Sequence, residues 1–205
     1  EADRQIKVYG NYIYLDKDER ESMAKRQIDF VITQVQRAEF PFSYVNDNTT
    51  DIGGHNDLDI SIFNHPVKSL FFGYGTTSTD FANDRFTFKT GDIQLNGTPL
   101  LENMSPMYFH VVQNYYKSKG GSINYVFPTN VTFDTRFFAY HFCLDASSYN
   151  PSGTCNFSRL DYAKLIVRGA EKGSSRPANQ PLYVYAVNYN VLRFKDGLAG
   201  ILFGS

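Results

Sequence analysis

Along residues 5–15, Ile6, Val8, Tyr12 and Tyr14 alternate with polar or small residues, the period of a β-strand, with an irregularity at Gly10-Asn11 that fits a bulge. The pattern then changes. Asp16 and Glu19, three residues apart, make a capping-box-like pair, so residues 17–26 read as a short charged helix. That helix has no apolar stripe and is predicted to lie on the surface. The acids Asp16 and Asp18 are explained there by capping and the helix dipole rather than by acid–base chemistry. Residues 27–40 return to a two-residue period, Ile28, Phe30 and Ile32 against Val31, Thr33 and Val35, with both faces partly apolar.

A polar loop over residues 46–56 precedes an alternating strand at 58–63, and further strands are predicted at 67–75, 85–89 with 92–95, 136–144, 161–167 and 182–193. Polar or turn-rich stretches at 76–83, 147–153 and 169–180 separate them. A short helix is expected around residues 107–115, ended by Gly120-Gly121. In the last strand, Tyr183, Tyr185, Val187, Tyr189 and Val191 fall on one face and Leu182, Val184, Ala186 and Leu192 on the other. A strand with one wet face should alternate apolar with polar, so both faces of this one are expected to be covered. One would face the core, and the other would meet a neighbouring domain, a subunit or a small helix.

About eight strands, no internal repeat and no low-complexity linker give the fold class: all-β, an eight-stranded antiparallel jelly-roll sandwich with one or two short surface helices. Composition agrees, with eighteen Phe and fifteen Tyr, no Trp, and 205 residues of which 42% are hydrophobic, enough for one core. Twenty basic against twenty-one acidic residues leave a net charge of −1, with no basic arm, so no direct contact with nucleic acid is expected. No apolar run approaches the ~20 residues of a membrane-spanning helix. The chain opens on Glu1-Ala2-Asp3-Arg4, without an initiator Met or a signal-peptide pattern, and is expected to be a piece of a longer protein. Cys143 and Cys155 lack zinc-site spacing and read as reduced structural thiols.

The run Asn150-Pro151-Ser152-Gly153-Thr154-Cys155-Asn156-Phe157-Ser158-Arg159 reads as a rigid corner ahead of a strand: Pro151 fixes its own φ, Gly153 permits a tight bend, and the small polar residues bond the turn. Arg159 either ties that corner to a carboxylate or is solvated. The run is very similar to one in the major capsid proteins of iridoviruses, phycodnaviruses, mimivirus-like viruses and their relatives. Four further stretches resemble that family in the same order. They are residues 12–20 (Tyr-Ile-Tyr-Leu-Asp-Lys-Asp-Glu-Arg), 63–68, 93–97, and 185–193 with 197–200; the last includes Asn188, Asn190 and Arg193. Together they span nearly the whole chain.

The resemblance implies a shell-building protein and not an enzyme, with no catalytic residue, cofactor or metal. It implies two jelly rolls in tandem per subunit, of which residues 1–205 would be the second, C-terminal one. Three subunits would form a pseudo-hexagonal capsomer tiling an icosahedral shell over an internal membrane. The implied partners are other copies in a homotrimer, neighbouring capsomers, and minor capsid and penton proteins. The implied place is the virion capsid, assembled in the infected host cell.

Two rival readings come from the residues. Jelly-roll iron oxygenases bind metal with His-x-Asp and a distant His, and this chain offers His55-Asn56-Asp57 with His110 or His141. Against it, His55 follows Gly53-Gly54 in a polar loop, and no Arg lies in the dozen residues after His110. His65 reads as a turn residue. A jelly-roll lectin would use exposed tyrosines such as Tyr74 or Tyr149 on a host glycan. Asn48, Asn96, Asn103, Asn130 and Asn156 each begin an Asn-x-Ser/Thr sequon, a glycosylation site only in a chain that meets the secretory machinery, and unmodified Asn is expected.

Overall fold

The computed structural model describes residues 7–42, 55–73, 86–118, 137–172 and 181–204. The chain forms two compact units, Thr33–Asn190 and Glu1–Ile32 with Val191–Gly204.

The first of these is a sandwich. One sheet has the strand order β1 (Ile28–Phe40), β11 (Leu182–Lys195), β3 (Pro66–Gly73), β7 (Phe137–His141), and the other β2 (His55–Asp59), β9 (Ala163–Arg168), β5 (Thr90–Leu95), β6 (Thr98–Met104). Counted one to eight along the chain, these strands read one-eight-three-six and two-seven-four-five, the interleaving of a jelly roll. Every register resolved between them is antiparallel. The two-residue strands β4 (Phe86–Thr87) and β10 (Glu171–Lys172) pair with each other, and β8 (Cys155–Asn156) pairs with β3.

Alternation explains the layers. Val184 lies opposite Phe72, and Ala186 opposite Leu70; all four are buried between the sheets. Aromatic rings fill the space: Phe72 stacks on Phe138 at 5.4 Å, Phe88 meets Phe138 edge-on at 4.7 Å, and Phe109 meets Phe72 at 5.4 Å. Phe109 comes from a π-helical turn (Tyr108–Val112) that runs into α2 (Gln113–Lys117). Gln113 on that helix accepts a hydrogen bond from the backbone N–H of His141, so a side chain occupies an edge position of β7.

The other unit holds α1 (Lys17–Lys25), the start of β1, the end of β11, and β12 (Leu198–Ile201), which pairs with β11. Phe30 meets Phe194 edge-on at 5.8 Å, and Arg193 grips Asp29 through two bonds of 2.8 Å. None of its described residues is buried.

Several expectations change. Residues 7–15 form no strand, and β6 lies where none was predicted, so the count of eight long strands survives because the two errors cancel. Asp16 occupies the N-cap of α1, yet its side chain makes no cap hydrogen bond; its carbonyl accepts from Arg20 instead. The strand expected at 58–63 is displaced to His55–Asp59 because Ile60 begins a turn, its carbonyl accepting from the Phe63 N–H. His55 therefore opens a strand and is not in a loop. Two hairpins were also missed, β5–β6 through Asn96-Gly97 (φ 49° and 76°) and β11–β12 through Asp196-Gly197 (φ 53° and 75°). Both carry the left-handed pairs of a type I′ turn, for which Asn-Gly and Asp-Gly are the standard signals.

Candidate interaction surfaces

The 150–159 run clamps two corners of the sandwich together. The Ser152 hydroxyl accepts from the backbone N–H of Asp145 (3.0 Å) and donates to the Asp145 carbonyl (3.2 Å). Gly153 has φ 142°, and a Cβ there would stand 3.1 Å from the Phe142 carbonyl oxygen and 3.3 Å from the Cys143 Cα. Cys155 and Asn156 then pair with Val67 and Pro66. The Asn156 side chain caps a 3₁₀ turn (Phe157–Arg159) by accepting from the Ser158 N–H, and Phe157 enters the core against Phe63 and Phe142. Arg159 is exposed and makes no ion pair among the described residues. Asn150 and Pro151 are exposed at the corner itself.

Asn188 and Asn190 face inward. Asn188 accepts from Gln36, whose side chain also donates to the Asn64 carbonyl and accepts from its N–H, and Asn190 donates to Gln34. This ladder of amides ties β1 and β11 across the sheet and pins their register, since a one-residue slip of either strand would turn its two amides to the opposite face and leave their partners unpaired. Gln34, Gln36 and Asn64 were not picked out from sequence; polar residues at the inward positions of an apolar alternation were the available signal.

The two outward faces differ in chemistry. On the β1-β11-β3-β7 sheet, Tyr185 lies opposite Phe71 and Val187 opposite Ser69, with Val35 65% exposed on the neighbouring strand. Arg37 stacks on the Tyr183 ring at 4.6 Å and Lys68 on Tyr189 at 5.5 Å. Burial, and then nearby Cys143, push the Tyr189 phenol up, and its hydroxyl is buried with no partner among the described residues. This face is thus apolar and aromatic but only half-covered, as the two-faced pattern of the last strand foretold in part.

The opposite sheet carries charges. Asp57 takes Lys164 at 2.9 Å and His55 at 2.5 Å, and Arg168 meets Asp92 at 2.6 Å. Burial alone would raise the Asp92 carboxyl, but Arg168 and the Asn103 N–H outweigh it and hold it below the usual range.

The three His residues weighed as ligands serve other ends. Among the described residues no three His, Cys, Asp or Glu side chains converge to hold a metal ion. His55 stays with Asp57 on β2, and His110 packs edge-on against Phe138. His141 sits between Ser69 (2.8 Å to Nδ1) and Asn114 (3.3 Å to Nε2). Asn114 donates its amide N–H to the His110 carbonyl, so its oxygen faces Nε2, which must carry the proton while Nδ1 accepts from Ser69. The order Ser-His-Asn resembles a nucleophile with its base, but here Ser69 is 1% exposed, and its hydroxyl is held by the His141 ring within the fold. Burial, with Lys117 and Lys68 nearby, lowers the His141 pKa to about 4.

Cys143 and Cys155 are free thiols, and burial pushes Cys155 up. Of the sequon residues, Asn96, Asn103 and Asn156 are exposed, and the Asn96 side chain accepts from the N–H groups of Asp161 and Tyr162. Asn48, Asn130 and Tyr74 lie outside the described residues, and Tyr149 is 98% exposed.

A jelly-roll sandwich with an internal amide ladder, a clamped corner and one aromatic outer face defines a scaffold-type β domain. Residues 19–200 match the family model described as large eukaryotic DNA virus major capsid protein, and the chain belongs to that family. It is 29% identical over 210 residues to the major capsid protein of Pyramimonas orientalis virus, covering 97% of this chain and 48% of that protein. It is 28% identical to that of Paramecium bursaria Chlorella virus 1, covering all of this chain and 55% of the relative. The chain thus spans about half the length of these relatives. Among solved structures it resembles the quasi-atomic model of the PBCV-1 virus capsid, at 25% identity and a TM-score of 0.71 over 95% of this chain and 56% of that one. The Faustovirus major capsid protein shares the fold, with a TM-score of 0.54 at 16% identity.

Proposed function

We propose that the chain is the C-terminal jelly roll of a two-jelly-roll major capsid subunit, which forms trimeric pseudo-hexagonal capsomers tiling an icosahedral shell. Its work is structural rather than enzymatic, and its place is the virion capsid, put together in the infected host cell. The observation that carries the reading is the family match over residues 19–200 on a jelly roll that spans about half of its relatives. The half-covered aromatic face of the β1-β11-β3-β7 sheet supports it, since large apolar faces on soluble proteins mark docking surfaces. The partners are then other copies, neighbouring capsomers, and minor capsid and penton proteins, close to an internal membrane and without direct contact with nucleic acid. Electron microscopy of the purified full-length protein tests this. Pseudo-hexagonal three-subunit particles are expected; particles of one subunit, or of another symmetry, would reject the reading.

A further inference from the structure

The backbone and the ring of His141 together hold α2 against the edge of the sheet. The His141 N–H donates to Gln113 at 3.1 Å and its Nε2 to Asn114 at 3.3 Å, while Nδ1 accepts from Ser69 on β3 at 2.8 Å. Two consecutive residues of a five-residue helix thus bond one histidine. Apolar burial contributes little to that helix. Gln113 is its one buried residue, Tyr115 and Tyr116 are exposed, and its far end is tied to the next loop by the Ala146 N–H on the Lys117 carbonyl. The preceding π-helical turn is held differently, because Phe109 is fully buried against Phe72 and Phe88. A fixed turn followed by a helix attached through polar bonds makes a pivot where the π-helical geometry becomes α-helical, at Val112 and Gln113.

We infer that this contact is an acid-operated latch: protonation of the His141 ring releases α2 from the outer edge of β7 while the rest of the sandwich stays folded. A second ring proton would sit on Nδ1, the atom that accepts from Ser69, so the hydroxyl must turn its own hydrogen away, and a full charge is left on a residue 3% exposed. The charged neighbours add to that cost, since Lys117 of α2 and Lys68 of β3 are both cations. The π-helical turn brings His110 and Tyr108 into the same network, through the His110 carbonyl on Asn114 and the Tyr108 hydroxyl on Gln113. Tyr140, next to His141 on β7, lies opposite Leu70 and packs on the core, and Asp145, in the loop bonded to α2, accepts from the Ser147 N–H. Once α2 lifts, the ring reaches water and Lys117 moves away with its helix, so the charged form favours the released state. Release also frees the His141 N–H on an edge strand, the kind of group to which another strand pairs.

Amide hydrogen exchange of the full-length subunit at pH 7 and pH 4.5, each with and without sub-denaturing urea, tests this. The released ring titrates at its ordinary pKa and the held ring at about 4, so the protection of the His141 and α2 amides, corrected for intrinsic rates, should fall about 50-fold between the two. Dilute urea should leave that protection unchanged, because a local opening exposes little surface, while the β9 amides, opened only by global unfolding, lose protection with urea at both pH values. In His141→Gln the pH dependence of the α2 amides should vanish. Exchange of the α2 amides that follows urea as steeply as β9, or that is equal at the two pH values, would overturn the latch, and both outcomes are read in the wild type should the variant not fold. A folded variant that keeps the wild-type pH dependence would overturn it as well.

Discussion

The backbone N–H of His65 donates to Ser158 Oγ at 2.7 Å, while the His65 carbonyl accepts from the Phe157 N–H at 3.1 Å. His65 has φ 68°, outside the range its side chain prefers, so these two bonds hold a left-handed turn in place and join two corners 93 residues apart. Ser158→Ala removes one of them at an exposed site and should cost about 0.5–1 kcal/mol in urea unfolding. A loss of several kcal/mol would show that the hydroxyl holds more than this turn.

Gly153→Ala should cost more, about 1–3 kcal/mol, because the backbone has φ 142° and the new Cβ meets main-chain atoms that cannot swing aside. The same unfolding experiment measures it. An unchanged midpoint would mean the corner opens without consequence.

Val184 is fully buried between the sheets and Val187 is half-buried on the outer face of the same strand. An unpaired carboxylate in the core costs several kcal/mol, comparable with a domain's whole stability of ~5–15 kcal/mol. Val184→Asp should therefore abolish the cooperative melting transition of the full-length protein's C-terminal half. Val187→Asp should preserve that transition and prevent association. Calorimetry and sedimentation together separate the two, and a Val187→Asp protein that assembles normally would show that this face docks nothing.

His141 predicts an acid-sensitive fold. Its pKa falls from 6.5 to about 4 on folding, so between these values the unfolded chain binds more protons and stability rises with pH. The contribution is complete above pH 6.5 and lost as pH falls to about 4, amounting to roughly 3 kcal/mol. Asp92, whose carboxyl is also lowered, acts in a different window: its contribution is present above the ordinary carboxylate pKa and lost below it. Stability measured at pH 7 and pH 5 therefore separates the histidine from Asp92. His141→Gln should flatten that difference, and an equal pH slope in wild type and variant would refute the assignment.

Sequence alternation revealed the layers wherever one face met the core, as along β3, β9 and β11, because burial enforces a two-residue period. It misled at residues 7–15, where the pattern is a strand's but the structure supplies no partner. At β6 it gave nothing, since Thr98–Met104 is mostly exposed and its register comes from the Asn96-Gly97 turn rather than from burial. The motif residues were visible as a corner, yet their partners His65, Asn64 and Gln36 come from distant parts of the chain, and spacing along one sequence carries no signal for such pairs. His55, offered by spacing as half of a His-x-Asp pair, and His110 and His141, offered as alternative distal ligands, take separate partners in the fold, and spacing along the chain carried no signal for those partners.

Sedimentation equilibrium of the purified full-length subunit tests the central claim most directly. The capsid reading predicts a particle of three times the subunit mass, and a protein that stays monomeric at the highest accessible concentration would contradict it.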